Sequence, residues 1–244
     1  MDQRAVGRSS VSLLARRPEI VPVAATVLAW AALIAESPTV GWSSTGGSIA
    51  GHGAHGGVFT ASGVVMVATM TVAMMGPLAV PGARAVARGL PSRCGAALLG
   101  HFAAFVLTWT VIALCLATVA ETLAGVLGSA VVAAGVLTLM CAAAQFDPRR
   151  SSALRACDRP SRQANQSGPV VESARFGMSC AASGFRPCAL PMLAMLALPG
   201  SLPFMAMLTV LVVADRFAEG RHRLVIAALY SVLGVGLLGV GLLS

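Results

Sequence analysis

Apolar runs about as long as a bilayer is thick recur along nearly the whole chain, and the short segments between them hold almost all of its charge. Crossing a ~30 Å hydrocarbon core takes about 20 helical residues. Seven such runs use most of the 244 residues and leave no room for a separate soluble domain. Charged residues are 11% of the sequence and hydrophobic residues 57%, whereas soluble domains average about 25% charged. These features exclude a soluble enzyme, a disordered chain, a collagen and a secreted disulfide scaffold. The expected fold class is all-α, a polytopic transmembrane helical bundle of about seven spans.

The spans read as 20–36, 58–80, 95–119, 123–144, 174–198, 202–217 and 223–243. Glu36-Ser37-Pro38 stops the first, and a Gly/Ser-rich loop follows. Pro81-Gly82 is expected to end the second, because proline lacks the backbone donor and glycine tolerates a turn. Arg16-Arg17 ahead of the first apolar run also has the look of a signal sequence, but no small-x-small cleavage pattern follows.

All 17 basic residues are arginine, against 9 acidic residues. Arg4, Arg8, Arg16 and Arg17 precede the first span, and Arg84, Arg88 and Arg93 follow the second. Arg149, Arg150, Arg155, Arg159, Arg162 and Arg175 fill the gap after the fourth, and Arg216, Arg221 and Arg223 precede the last. The intervening gaps, including the one around Glu121, carry none. By the positive-inside rule this alternation predicts a cytoplasmic N-terminus and an outer C-terminus in the cell inner (plasma) membrane. The arginines then face anionic headgroups, so the partner is membrane lipid and not nucleic acid. The expected organisation is a basic cytoplasmic segment over 1–19 and a single transmembrane domain over 20–244. That domain carries an outer Gly/His loop at 37–57 and a cytoplasmic Arg-rich loop at 145–173.

Catalytic constellations are missing from the sequence: it has no nucleophile elbow, no Walker loop and no His-Glu-x-x-His pattern. The chain is not expected to be an enzyme. Sulfur is more informative, with 11 methionines and 6 cysteines. Met66, Met70 and Met74 recur every fourth residue on the second span, and Cys188, Met192 and Met195 fall on one face of the fifth. Cys180 lies two turns before Cys188, and Met205 and Met207 open the sixth span. Thioether and thiolate are soft donors that select Cu(I) over Ca, Mg or Mn. Methionine at helical spacing also serves as an adaptable filler of apolar interiors. His52 and His55 offer two imidazoles on the outer loop. No Cys-x-x-Cys occurs, which argues against a zinc ribbon or a thioredoxin-like site.

Arg186 is the one arginine within a span, flanked by Phe185 and Pro187. A charge there costs at least ~2.5–3.5 kcal/mol on insertion scales, so it is expected to face a polar cavity or to pair with a carboxylate such as Glu121. Pro187 and Pro191 are expected to kink the same helix. His101 reads as a helix-packing histidine.

Three segments together resemble the family of predicted metal-binding integral membrane proteins (domain of unknown function 2182), some of which are described as copper chaperones. Met66-Val-Ala-Thr-Met70-Thr-Val-Ala-Met74-Met75-Gly-Pro77 is similar to the family's Met-x-x-Ala-Met-Met-x-Pro signature. Gln145-Phe-Asp-Pro148-Arg-Arg with Arg155-Ala-Cys157-Asp-Arg-Pro160 is similar to its Tyr-Gln-x-x-Pro-Leu-Lys and Cys-Arg-x-Pro segment. Cys188-Ala-Leu-Pro-Met192, then Gly200 and Met207, follows a Cys-Trp-x-x-Met pattern and the Gly-x-Met-Asn stretch after it. Ala189 and Ala206 stand where the family favours tryptophan, Leu202 where it favours methionine, and Pro203 where it favours asparagine, which marks a divergent member.

The resemblance implies a multi-helix bundle with a metal role. Together with the soft donors it gives the expectation of a Cu(I)-binding membrane protein that supports assembly of a membrane copper enzyme, with that enzyme's subunits as partners. In this reading His52 and His55 capture the ion outside. Met66, Met70, Met74, Cys188, Met192 and Met195 are its ligands within the bilayer, and Cys157 is a cytoplasmic acceptor. Two other readings stand beside it: a non-catalytic accessory subunit without its own metal, and, with less support, a permease built around Arg186.

Overall fold

The computed structural model describes residues 17–36, 59–89, 94–147, 168–198, 201–217 and 222–243, and these are helical with short connections. The helices are α1 (Ile20–Glu36), α2 (Ala61–Met75), α3 (Val80–Gly89), α4 (Cys94–Leu127), α5 (Ala130–Ala144), α6 (Pro169–Ala197), α7 (Leu202–Phe217) and α8 (Arg223–Leu243). A single 3₁₀ turn, Gly76–Ala79, joins α2 to α3, so that Ala61–Gly89 is one continuous helical rod. That rod, Gly95–Leu127, Val170–Ala197 and Arg223–Leu243 are long and apolar enough to cross a membrane, while α1 and α5 are shorter apolar helices.

Pro81-Gly82 therefore does not end the second span. Pro81 cannot donate to the carbonyl of Pro77, but the tighter turn lets the Val80 N–H take that acceptor instead. Pro77 in turn withholds the donor that the Ala73 carbonyl would meet four residues on. The indole Nε1 of Trp30 on α1 donates to that carbonyl at 3.0 Å. Both prolines are thus absorbed, one by a local 3₁₀ bond and one by a neighbouring helix.

The break between the third and fourth spans also lies later than expected. Helix α4 runs unbroken through Glu121 to Leu127, and Gly128 makes the turn at φ +70°, a conformation that glycine adopts without penalty. Ser129 then caps α5, accepting from the Val132 N–H at 3.4 Å. At ~1.5 Å per residue, α4 is about 50 Å long and outreaches a bilayer core. Helix α6 begins at Pro169, five residues ahead of the expected start, with proline in the first turn where its missing N–H is not needed. It continues through Pro187 and Pro191.

Close approaches at glycine set the helix directions. A Cβ on Gly100 would meet Val170, one on Gly177 would overlap the His101 carbonyl, and one on Gly184 would touch Trp109. Helices α4 and α6, which make the largest helix–helix interface, thus run parallel. Helices α5 and α8 run antiparallel, with Gly135 against Leu238, Gly234 against Leu139 and Gly241 against Val132. Helix α1 runs against the α2–α3 rod: Trp30 meets Ala73, Thr26 packs on Gly76, and Glu19 lies 3.7 Å from Arg84. These three pairs have the relative directions that alternating spans would give them.

Candidate metal centre

The apolar core is built largely from sulfur and small side chains. Met70, Met74 and Met75 of α2, Cys180, Cys188, Met192 and Met195 of α6, and Met205 of α7 are all buried in one cluster, with Met66 partly buried against it. The four-residue spacing on α2 turns its stripe inward because the same face carries Val67 and Ala73 into the core. Exposed valines and leucines such as Val65, Leu107 and Leu229 cover the outside of the bundle instead. The backbones of α2 and α6 have little direct contact. Helix α2 packs on α1 and α4, and α6 on α4 and α5. The two methionine stripes therefore belong to one buried cluster without sharing a helix seam. Met207 lies outside this cluster and is exposed.

A cavity of about 30 Å³ opens between the 3₁₀ turn, α3, α4, α6 and α7, enough for a water-sized occupant. Its walls include Gly82, His101, Trp109, Cys180, Cys188 and Arg216. His101 is completely buried, and its ring stacks on Phe176 with centroids 5.3 Å apart. Neither ring nitrogen makes a hydrogen bond; the backbone groups of Ser173 and Ala79 interact with the ring without reaching hydrogen-bond geometry. Trp109 Nε1 is likewise buried and without an acceptor. Buried polar atoms in this state are rare and costly, and here two of the groups that carry them line the same cavity. Cys180 and Cys188 are thiols, not disulfides.

Sequence reasoning passed over His101, because a lone histidine near a helix start usually packs. The signal that could have found it is its register: His101, Phe105 and Trp109 repeat every fourth residue and place the imidazole on the face that α6 covers. Arg186 departs from expectation. It is exposed and is not part of the cavity wall, whereas Arg216 is. Glu121 sits within α4 with its Oε1 buried and without a hydrogen-bond donor, so that oxygen does not bind Arg186. His52, His55 and Cys157 lie outside the described residues.

Among the described residues no group of three or more His, Cys, Asp or Glu side chains is arranged to hold a metal ion. Soft thiolates and thioethers suit Cu(I), and the buried methionines supply donors of that kind.

Comparison with known proteins points to the same ion. A model of the PpoB2 copper chaperone family matches residues 64–243, nearly three-quarters of the chain, so the chain belongs to that family. No curated protein and no solved structure matches it. The matched region contains both methionine stripes and the cavity, and begins after His52 and His55.

Proposed function

We propose that this protein is a membrane copper chaperone that holds Cu(I) among buried sulfur ligands and passes it to a membrane copper enzyme. Met66, Met70, Met74, Cys188, Met192 and Met195 are the ligands. His52 and His55 collect the ion at the outer surface of the inner membrane, and Cys157 accepts it on the cytoplasmic side. The N-terminus is cytoplasmic. The observation that carries this reading is that every one of the six sulfurs is at least partly buried in the core of a copper chaperone family member, and none is spent on the lipid-facing surface. A soft monovalent ion also suits the setting, since each bound thiolate cancels its charge before it enters a low-dielectric interior.

The test is competition for Cu(I) between the detergent-purified chain and a Cu(I) chelator under anaerobic conditions. The wild type is expected to retain Cu(I), and Met70→Leu combined with Cys188→Ala to release most of it. Unchanged retention in that double variant would reject these ligands.

A further inference from the structure

We infer that His101 Nε2 and Cys180 Sγ form a second Cu(I) site, distinct from the methionine ligands, at the cavity that Gly82 lines between α3, α4 and α6. This inference rests on the copper-handling reading above.

A Cβ built on Gly82 would stand 2.6 Å from His101 Nε2 and 3.8 Å from Cys180 Sγ. The nitrogen and the sulfur are therefore separated by no more than the sum of those distances, about 6.4 Å. A linear N–metal–S arrangement with bond lengths of the size found at zinc sites needs about 4.3 Å, which lies within that bound. Both side chains are interior, His101 at 0% and Cys180 at 6% exposure. Neither ring nitrogen has a partner within hydrogen-bond geometry, while the backbone of Ser173 and of Ala79 lies close enough to act on the ring. A neutral imidazole keeps one nitrogen lone pair that an ion can take. Residue 82 has no side chain, so the imidazole packs directly against its backbone.

The surroundings select the charge of that ion. Arg216 lines the same cavity. One thiolate with a monovalent ion is neutral, whereas one thiolate with a divalent ion leaves a positive complex beside a guanidinium. Cys188 cannot share the ion, because eight residues of helix separate it from Cys180 by about 12 Å. The site also sits toward the end of the bundle that carries Arg84, Arg88 and Arg175. An ion moving along α6 from Met195 through Met192 and Cys188 reaches Cys180 last.

The test uses the full chain in detergent with His52→Ala, His55→Ala and His222→Ala, which leaves His101 as the one imidazole. After anaerobic loading with Cu(I), copper K-edge absorption is expected to show imidazole scattering, and His101→Phe, which keeps the stack on Phe176, to abolish it. Cys180→Ser is expected to weaken one class of bound Cu(I) at least tenfold, a class that Met70→Leu with Cys188→Ala leaves in place. Copper held by sulfur alone in the background protein, or imidazole scattering that persists in His101→Phe, overturns this site while leaving the copper reading intact. A wild-type chain that binds no Cu(I) overturns both. The background spectrum is decisive even if His101→Phe fails to fold.

Discussion

The indole N–H of Trp30 caps the Ala73 carbonyl at 3.0 Å, the acceptor that Pro77 deprives of its helical donor. This bond fastens α1 to α2 one residue from Met74, and Gly76 lets Thr26 pack beside it. The inward aim of the methionine stripe thus depends on a contact with a different helix.

Trp30→Phe is expected to cost about 1–3 kcal/mol, because it strands a buried carbonyl. In a Pro77→Ala background the new N–H at residue 77 can take the Ala73 carbonyl, so the same substitution is expected to cost less. Thermal unfolding of the four proteins in detergent gives the coupling directly. Equal losses in both backgrounds would show that the indole is not replacing the proline's missing donor.

Glycines on one helix are not equivalent. A Cβ on Gly234 would stand 2.8 Å from Leu139 Cγ and 3.0 Å from the Gly135 carbonyl, whereas one on Gly236 would meet nothing within 4 Å. Gly234→Ala is expected to destabilise the α5–α8 pair by about 1–3 kcal/mol through overpacking. Gly236→Ala is expected to be neutral or stabilising. Melting temperatures of the two variants check the contrast, and equal shifts would contradict the packing.

Gly82→Ala places a Cβ 2.6 Å from His101 Nε2, so the imidazole must shift away from residue 82. The substitution is expected to leave the helical content intact and to weaken Cu(I) retention at the inner site at least tenfold, read by chelator competition. Retention equal to wild type would show that this contact has no part in binding.

Metal preference follows from the donors. The purified chain is expected to retain Ag(I), a redox-inert soft ion, and to lose Zn(II) on desalting, as measured by elemental analysis. Stoichiometric Zn(II) would contradict a site of thioethers and thiols.

Much of the helix pattern was legible in the sequence. The starts and ends of α1, α7 and α8 coincide with the apolar runs, because their flanks are charged or proline-bearing. Two of the misplaced boundaries are alike: Pro81 and the polar Glu121-Thr122 were read as breaks, yet the helix runs on through both, past Pro81 by a local 3₁₀ bond. The burial of Met70, Met74, Cys188, Met192 and Met195 followed from their periodicity. His101 was not legible as part of a site, because its partners Gly82, Cys180 and Arg216 come from three other helices and carry no shared motif. Arg186 misled for the converse reason. Its place in the sequence is mid-span, but its helical phase points away from the cavity.

The central claim is that buried sulfur in this chain holds copper, and the direct measurement is the copper content of the protein purified in mild detergent from copper-supplied cells. Copper that copurifies at a stoichiometric ratio, survives desalting and falls sharply in Met70→Leu with Cys188→Ala is the predicted result. A chain that emerges folded and copper-free after the same supply would contradict it.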